Sequence, residues 1–73
     1  MEKTILIEEY VELDAVNKCT ASLRVEIEQA ESNARPFMVR LGHGDEYWMT
    51  ENGINHLIKT LQTAKKCRNI SLP

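Results

Sequence analysis

The chain has 73 residues, of which 42% are hydrophobic and 27% are charged, and its formal net charge is −2 at pH 7. This composition excludes a disordered chain and a membrane span, and the length allows one domain over residues 1–73 with a short loose tail at 69–73. Because a chain this short buries little surface by itself, we expect a homodimer or burial against another protein.

The first segment, residues 4–13, is predicted to be a strand because it is rich in β-branched and aromatic residues. Its apolar residues alternate except at Glu9, so we expect a β-bulge near Glu8 and Glu9 that restores the alternation. A helix over residues 4–16 is the alternative, since the apolar residues also fall on one helical stripe. Acidic residues interrupt any signal-peptide core here, which predicts a cytoplasmic chain.

The next two segments are predicted to be strands at residues 21–29 and 36–42. In both, odd positions are apolar and even positions are mostly polar, the pattern of a sheet with one buried and one solvent-facing side. The polar, turn-rich stretch between them is typical of a loop, so we expect an antiparallel pair. The expected core residues are Leu23, Val25, Ile27, Phe37, Val39 and Leu41.

A tight turn, a short strand and a helix complete the predicted fold. The sequence Gly-His-Gly-Asp-Glu suits a reversal, after which a fourth strand is expected at residues 46–49. Thr50 is the predicted N-cap of an amphipathic helix over about 51–67, where apolar residues recur at helical spacing. The predicted architecture is therefore α+β, an antiparallel sheet of three to four strands with this helix packed on one face.

Charge is distributed unevenly along the chain. Residues 1–46 contain ten acidic and five basic residues, whereas residues 47–73 contain one acidic and four basic residues, so the two parts carry −5 and +3. Cations near a helix C-terminus offset the helix dipole, which accounts for part of the basic cluster. The acidic pI of about 5.6 disfavours the broad basic surface of a nucleic-acid binder.

Residues with metal-binding or acid–base chemistry cluster at His43, Asp45 and Glu46. A turn explains the same composition, and none of the common metal-ligand spacings is present, so we predict no metal, no cofactor and no catalytic residue. The chain is accordingly not expected to be an enzyme. Cys19 and Cys67 are expected to be reduced thiols, and a disulfide between them is the alternative in an oxidising compartment.

The solvent-facing side of the sheet is the predicted partner-binding surface, because it mixes charges with apolar and aromatic side chains. A merely solvated sheet face is the alternative. Of the two aromatic residues before the helix, we expect one to point into the core and the other to be exposed as an anchor for a partner. The predicted partner-binding residues are Tyr10, Arg24, Glu26, Met38, Arg40, Tyr47 and Trp48.

Two functions fit these features. The first is a small non-enzymatic protein-binding module, such as a regulator, inhibitor or accessory protein of a phage-like or mobile-element type, acting as a homodimer or through its exposed sheet face. The alternative is a single-stranded nucleic-acid-binding protein that uses the same face through Arg24 and Arg40, although the charge disfavours it. No membrane partner is expected.

Overall fold

The computed structural model describes residues 3–29 and 34–71, with side chains described as far as residue 69. Four strands, all antiparallel, form one sheet in the order β1-β2-β3-β4, and a helix follows. The α+β fold expected from the sequence is therefore confirmed. The elements are β1 (Thr4–Asp14), β2 (Cys19–Glu28), β3 (Phe37–Leu41), β4 (Tyr47–Met49) and α1 (Glu51–Ser71).

The first segment is a strand and not the alternative helix. β1 pairs with β2 continuously from Thr4 to Glu12, and the irregularity in this pairing lies between Glu12 and Asp14. The predicted bulge near Glu8 and Glu9 is therefore wrong. Glu9 stays in register beside apolar neighbours because β1 is at the edge of the sheet, where its exposed carboxylate remains hydrated.

Asp14 organises the turn between β1 and β2. Its carboxylate accepts hydrogen bonds from the side-chain amide of Asn17 at 2.6 Å and from the backbone N–H groups of Val16 and Asn17 at 3.0 and 3.3 Å. These bonds, foremost the one from the Asn17 side chain, lower the pKa of Asp14 because they favour its charged form. Lys18 closes the turn with a φ of 53°. The turn thereby sets the register of the long β1–β2 hairpin.

The strand register gives the sheet two different faces, because directly opposite residues of antiparallel strands project to the same side. The apolar sheet face consists of Ile5, Ile7, Glu9, Val11, Ala21, Leu23, Val25, Ile27, Phe37, Val39, Leu41, Tyr47 and Met49. The polar sheet face consists of Thr4, Leu6, Glu8, Tyr10, Glu12, Thr20, Ser22, Arg24, Glu26, Glu28, Met38, Arg40 and Trp48.

Helix α1 leaves the apolar sheet face uncovered. It lies mainly against β4, the strand that precedes it, and the molecule extends over 52 × 27 × 17 Å. The expectation that the helix packs across one face of the sheet is wrong, since Ile7 on the sheet is 45% exposed and Leu61 on the helix is 58% exposed. Only Thr50 separates β4 from α1, so there is no loop to turn the helix back over the sheet.

The start of α1 follows the sequence prediction closely. The Thr50 side-chain hydroxyl oxygen accepts a hydrogen bond from the Gly53 N–H at 3.0 Å, as an N-cap residue does. A Cβ at position 53 would lie 3.1 Å from the Cβ of Met49, so glycine permits this close approach of the helix to β4. The helix ends at Ser71, beyond the predicted end near 67. Residues 69–71 of the predicted tail are therefore helical, and residues 72–73 lie outside the described part.

The residue that is buried in the sheet is not one of those expected to form the core. Among the described residues, Met38 is the fully buried hydrophobic side chain, at 0% exposure, and it lies on the polar sheet face. Its predicted exposure is wrong because it sits in the second strand from the β4 edge, directly between Glu26 and Trp48. Most of the expected core residues are only half-buried, and Leu41 is exposed.

Candidate protein-contact surface

Exposed apolar side chains lie on the apolar sheet face and on one side of the helix. The helix stripe, defined as Ile54, Leu57, Ile58, Leu61 and Ala64, follows the spacing expected of an amphipathic helix. Exposed large hydrophobic residues occur on both parts, including Ile5 and Ile7 on the sheet and Leu57 on the helix. Such exposed apolar side chains suit contact with a protein surface.

The sequence pattern assigns these residues to the core, so it does not predict that they are exposed. The period of the apolar positions shows which side chains share a face, but it does not show what covers that face. The available signal was the spacing between β4 and the helix, where Thr50 alone connects the two elements.

On the polar sheet face, Arg24 forms ion pairs with glutamates of two strands. Its Nη1 atom lies 3.6 Å from Oε1 of Glu8 on β1, and its Nη2 atom lies 3.7 Å from Oε1 of Glu26 on β2. Two of the predicted partner-binding residues, Arg24 and Glu26, are therefore engaged with each other. Ion pairs this exposed contribute little to stability, but they fix the guanidinium over the face.

Arg40 lies directly opposite Arg24 on the neighbouring strand. The Nε atoms of both arginines are buried and have no hydrogen-bond partner. Two like charges side by side are unfavourable, and each buried donor without an acceptor adds to that cost.

The three aromatic residues predicted to bind a partner do not form one cluster. Tyr47 is 62% exposed on the apolar sheet face, whereas Trp48 is 39% exposed on the polar sheet face opposite Met38. Consecutive strand residues alternate between faces, and both rings are exposed, so the expectation that one ring points into the core is wrong. Tyr10 lies on the edge strand β1, also on the polar sheet face.

A shallow depression of about 450 Å³ lies at the β4 edge of the sheet. Charged and aromatic side chains line it, and Tyr47 and Trp48 are the two that sequence reasoning singled out. Glu28, Arg35 and Glu46 complete the lining. The depression is open and mixed in charge, so it suits a side chain from a partner better than an enclosed small molecule.

His43, Asp45 and Glu46 are exposed in the turn between β3 and β4. The turn is held by backbone bonds, in which the Gly42 N–H donates to the Ser22 carbonyl at 2.7 Å and the Gly44 N–H donates to the Leu41 carbonyl at 3.1 Å. Gly42 has a φ of 61°, which explains the glycine there. Within residues 3–29 and 34–71, no group of three or more His, Cys, Asp or Glu side chains is placed to hold a metal ion.

Cys19 and Cys67 are both exposed thiols, and no disulfide joins them. Cys19 begins β2 and Cys67 lies near the end of α1. In the part of the chain that the structure describes, no helix combines the length and the apolar character needed to cross a membrane. No known protein family, characterised protein or solved structure matches the chain.

Proposed function

We propose that this chain is a small non-enzymatic protein-binding module, a regulator, inhibitor or accessory protein that acts through surface contacts. The observation that carries the proposal is the uncovered apolar sheet face together with the exposed helix stripe. Soluble monomers rarely expose contiguous apolar patches larger than a few hundred Å², roughly, and larger patches mark contact with proteins or membranes. The α1 stripe and a flat sheet together offer a shape that another folded chain can cover.

The positions of the residues with acid–base side chains support the same proposal. His43 and Asp45 lie in a turn whose conformation is explained by backbone bonds and Gly42. Their place in the sequence thus has a structural reason that requires no catalytic role.

Single-stranded nucleic acid is the second candidate ligand, because Arg24, Arg40 and Trp48 share the polar sheet face. Glu8 and Glu26 already hold the Arg24 guanidinium, and they would repel phosphates approaching the same place. We therefore favour the protein-binding function.

Tyrosine labelling tests whether a protein covers the apolar sheet face. Tyr47 lies on that face and Tyr10 lies on the polar sheet face, and both side chains are exposed in the single chain. In an extract of the source cells, nitration by tetranitromethane should modify Tyr10 readily and Tyr47 several-fold more slowly. Denatured protein provides the reference in which both tyrosines react alike. Equal reaction of the two tyrosines in the extract would refute the proposed contact surface.

A further inference from the structure

The chain exposes much more surface than a folded protein of its mass should. Its accessible surface is 6421 Å², whereas a compact protein of 8.4 kDa exposes about 4,600 Å². The radius of gyration is 15.2 Å, against about 11 Å for a compact chain of 73 residues. The excess of about 1,800 Å² is within the range of roughly 1,000–2,500 Å² that each chain buries in an obligate dimer.

The chain cannot reduce this excess by folding its own helix onto the sheet. Thr50 is the single residue between β4 and α1, and it is fixed as the N-cap of the helix. Gly53 brings the first turn of α1 close to Met49 at the end of β4. The helix therefore extends away from the sheet, and its 21 residues span about 30 Å.

The two uncovered apolar surfaces of the chain complement each other. One is a sheet face and the other is the stripe of an amphipathic helix, the pair of surfaces that pack together in α+β domains. Each chain carries one sheet face and one helix stripe. A two-fold dimer would therefore contain the same contact twice, and each contact would cover the helix stripe of one chain and the apolar sheet face of the other.

Charge favours the same arrangement. Residues 1–46, which include β1, β2 and β3, carry −5, and residues 47–73, which include β4 and the helix, carry +3. Glu9 is the charged residue on the apolar sheet face, and Lys65 and Arg68 continue the direction of the helix stripe. The basic end of a helix from another copy is opposite in charge to Glu9, whereas Glu8, Glu12, Glu26 and Glu28 lie on the opposite face of the sheet.

We propose that two copies of this chain form a dimer in which α1 of each copy lies across the apolar sheet face of the other. The proposal rests on the proposed function, since it names the partner of the same contact surface. The sequence predicts a homodimer or contact through the solvent-facing side of the sheet, and the dimer proposed here uses the opposite side.

Adjacent residues of β1 provide a matched test of this dimer. Ile7 lies on the apolar sheet face and Leu6 on the polar sheet face, with similar exposures of 45% and 48%. The purified chain should show twice its 8.4 kDa mass in size-exclusion chromatography with light scattering. Ile7→Asp should halve this mass, whereas Leu6→Asp should leave it unchanged. A dimer lost in Leu6→Asp and kept in Ile7→Asp would overturn the proposal.

Cross-linking tests the helix placement even if Ile7→Asp fails to fold. In a background of Cys19→Ser and Cys67→Ser, chains carrying Leu61→Cys are mixed with chains carrying Ile7→Cys and treated with a short bismaleimide. Cross-linked dimers should form in this mixture and not when Leu6→Cys replaces Ile7→Cys. A dimer that gives no Ile7–Leu61 cross-link would refute the crossed helices.

The mass of the pure chain separates the two proposals. A folded monomer of 8.4 kDa at all concentrations would refute the homodimer. If Tyr47 were nevertheless protected in the cell extract, a different protein would be the partner and the proposed function would stand. If Tyr47 were also unprotected, both proposals would be wrong.

Discussion

On the inner strand β3, the polar sheet face buries its side chains more completely than the apolar sheet face does. Met38 on the polar sheet face is 0% exposed, whereas its neighbours Phe37 and Val39 on the apolar sheet face are half-buried. In a folded chain, apolar side chains are normally the ones removed from water. The difference teaches that Met38 is covered within one chain, whereas in the proposed dimer a second copy would cover the apolar sheet face.

Side-chain length explains how the polar sheet face covers Met38. Arginine and glutamate have long apolar stems that can lie over a neighbour while their charged ends stay in water. Glu26 and Trp48 are directly opposite Met38 on both adjacent strands, and Arg24 and Glu26 form an ion pair that fixes their ends. The apolar sheet face consists mainly of short aliphatic side chains, which cannot shield one another in this way.

Truncation of Met38 is expected to have the largest effect. Met38→Ala removes a buried side chain and leaves a cavity, which should lower the free energy of unfolding by about 2–5 kcal/mol. Urea denaturation followed by circular dichroism, at one fixed chain concentration, measures the loss. The conservative variant Met38→Leu should cost less than about 1.5 kcal/mol because it nearly keeps the volume. A Met38→Ala variant as stable as the wild type would show that the polar sheet face contains no core.

Substitutions of the neighbours Tyr47 and Trp48 test the two faces separately. Tyr47→Ala should raise the dimer dissociation constant at least about tenfold, equivalent to about 1.4 kcal/mol, because it removes an aromatic side chain from the contact surface. Trp48→Ala should instead lower the stability of each chain by about 1–3 kcal/mol, because it uncovers Met38. Light scattering over a dilution series gives the first quantity, and urea denaturation gives the second. If Tyr47→Ala lowered the stability of each chain and Trp48→Ala raised the dimer dissociation constant, the assignment of the two residues to their faces would be wrong.

The sequence predicts the order of elements and the membership of each face. Alternation in β2 and β3, the glycine-rich turn, and Thr50 followed by the helical stripe are all local patterns, and each element is found near its predicted place. Leu6 and Tyr10 lie with the polar residues, as an odd-inward register of β1 predicts. These features follow from backbone geometry, which is encoded over a few residues.

What the sequence does not predict is which face is covered. The periodicity marks Leu41 and Leu61 as apolar positions, but both are exposed, because covering them depends on the direction of the helix. The sequence does not predict the burial of Met38 either, since its even position, two residues before Arg40, indicates a solvent-facing residue. Long-range packing, and not local pattern, decides both cases.

The ion pair between Glu8 and Arg24 should contribute least, and its size tests whether the polar sheet face is in contact with water. The Glu8 side chain is 57% exposed and that of Arg24 is 35% exposed. Glu8→Gln should therefore lower the free energy of unfolding by less than about 1 kcal/mol, and the difference should vanish near 1 M salt, where charges are screened within about 3 Å. Glu12→Gln, which changes the same charge on the same strand and face, is the control and should have no measurable effect. A salt-independent loss well above this limit would mean that Arg24 is shielded from water, and that the polar sheet face is itself covered in the assembled protein.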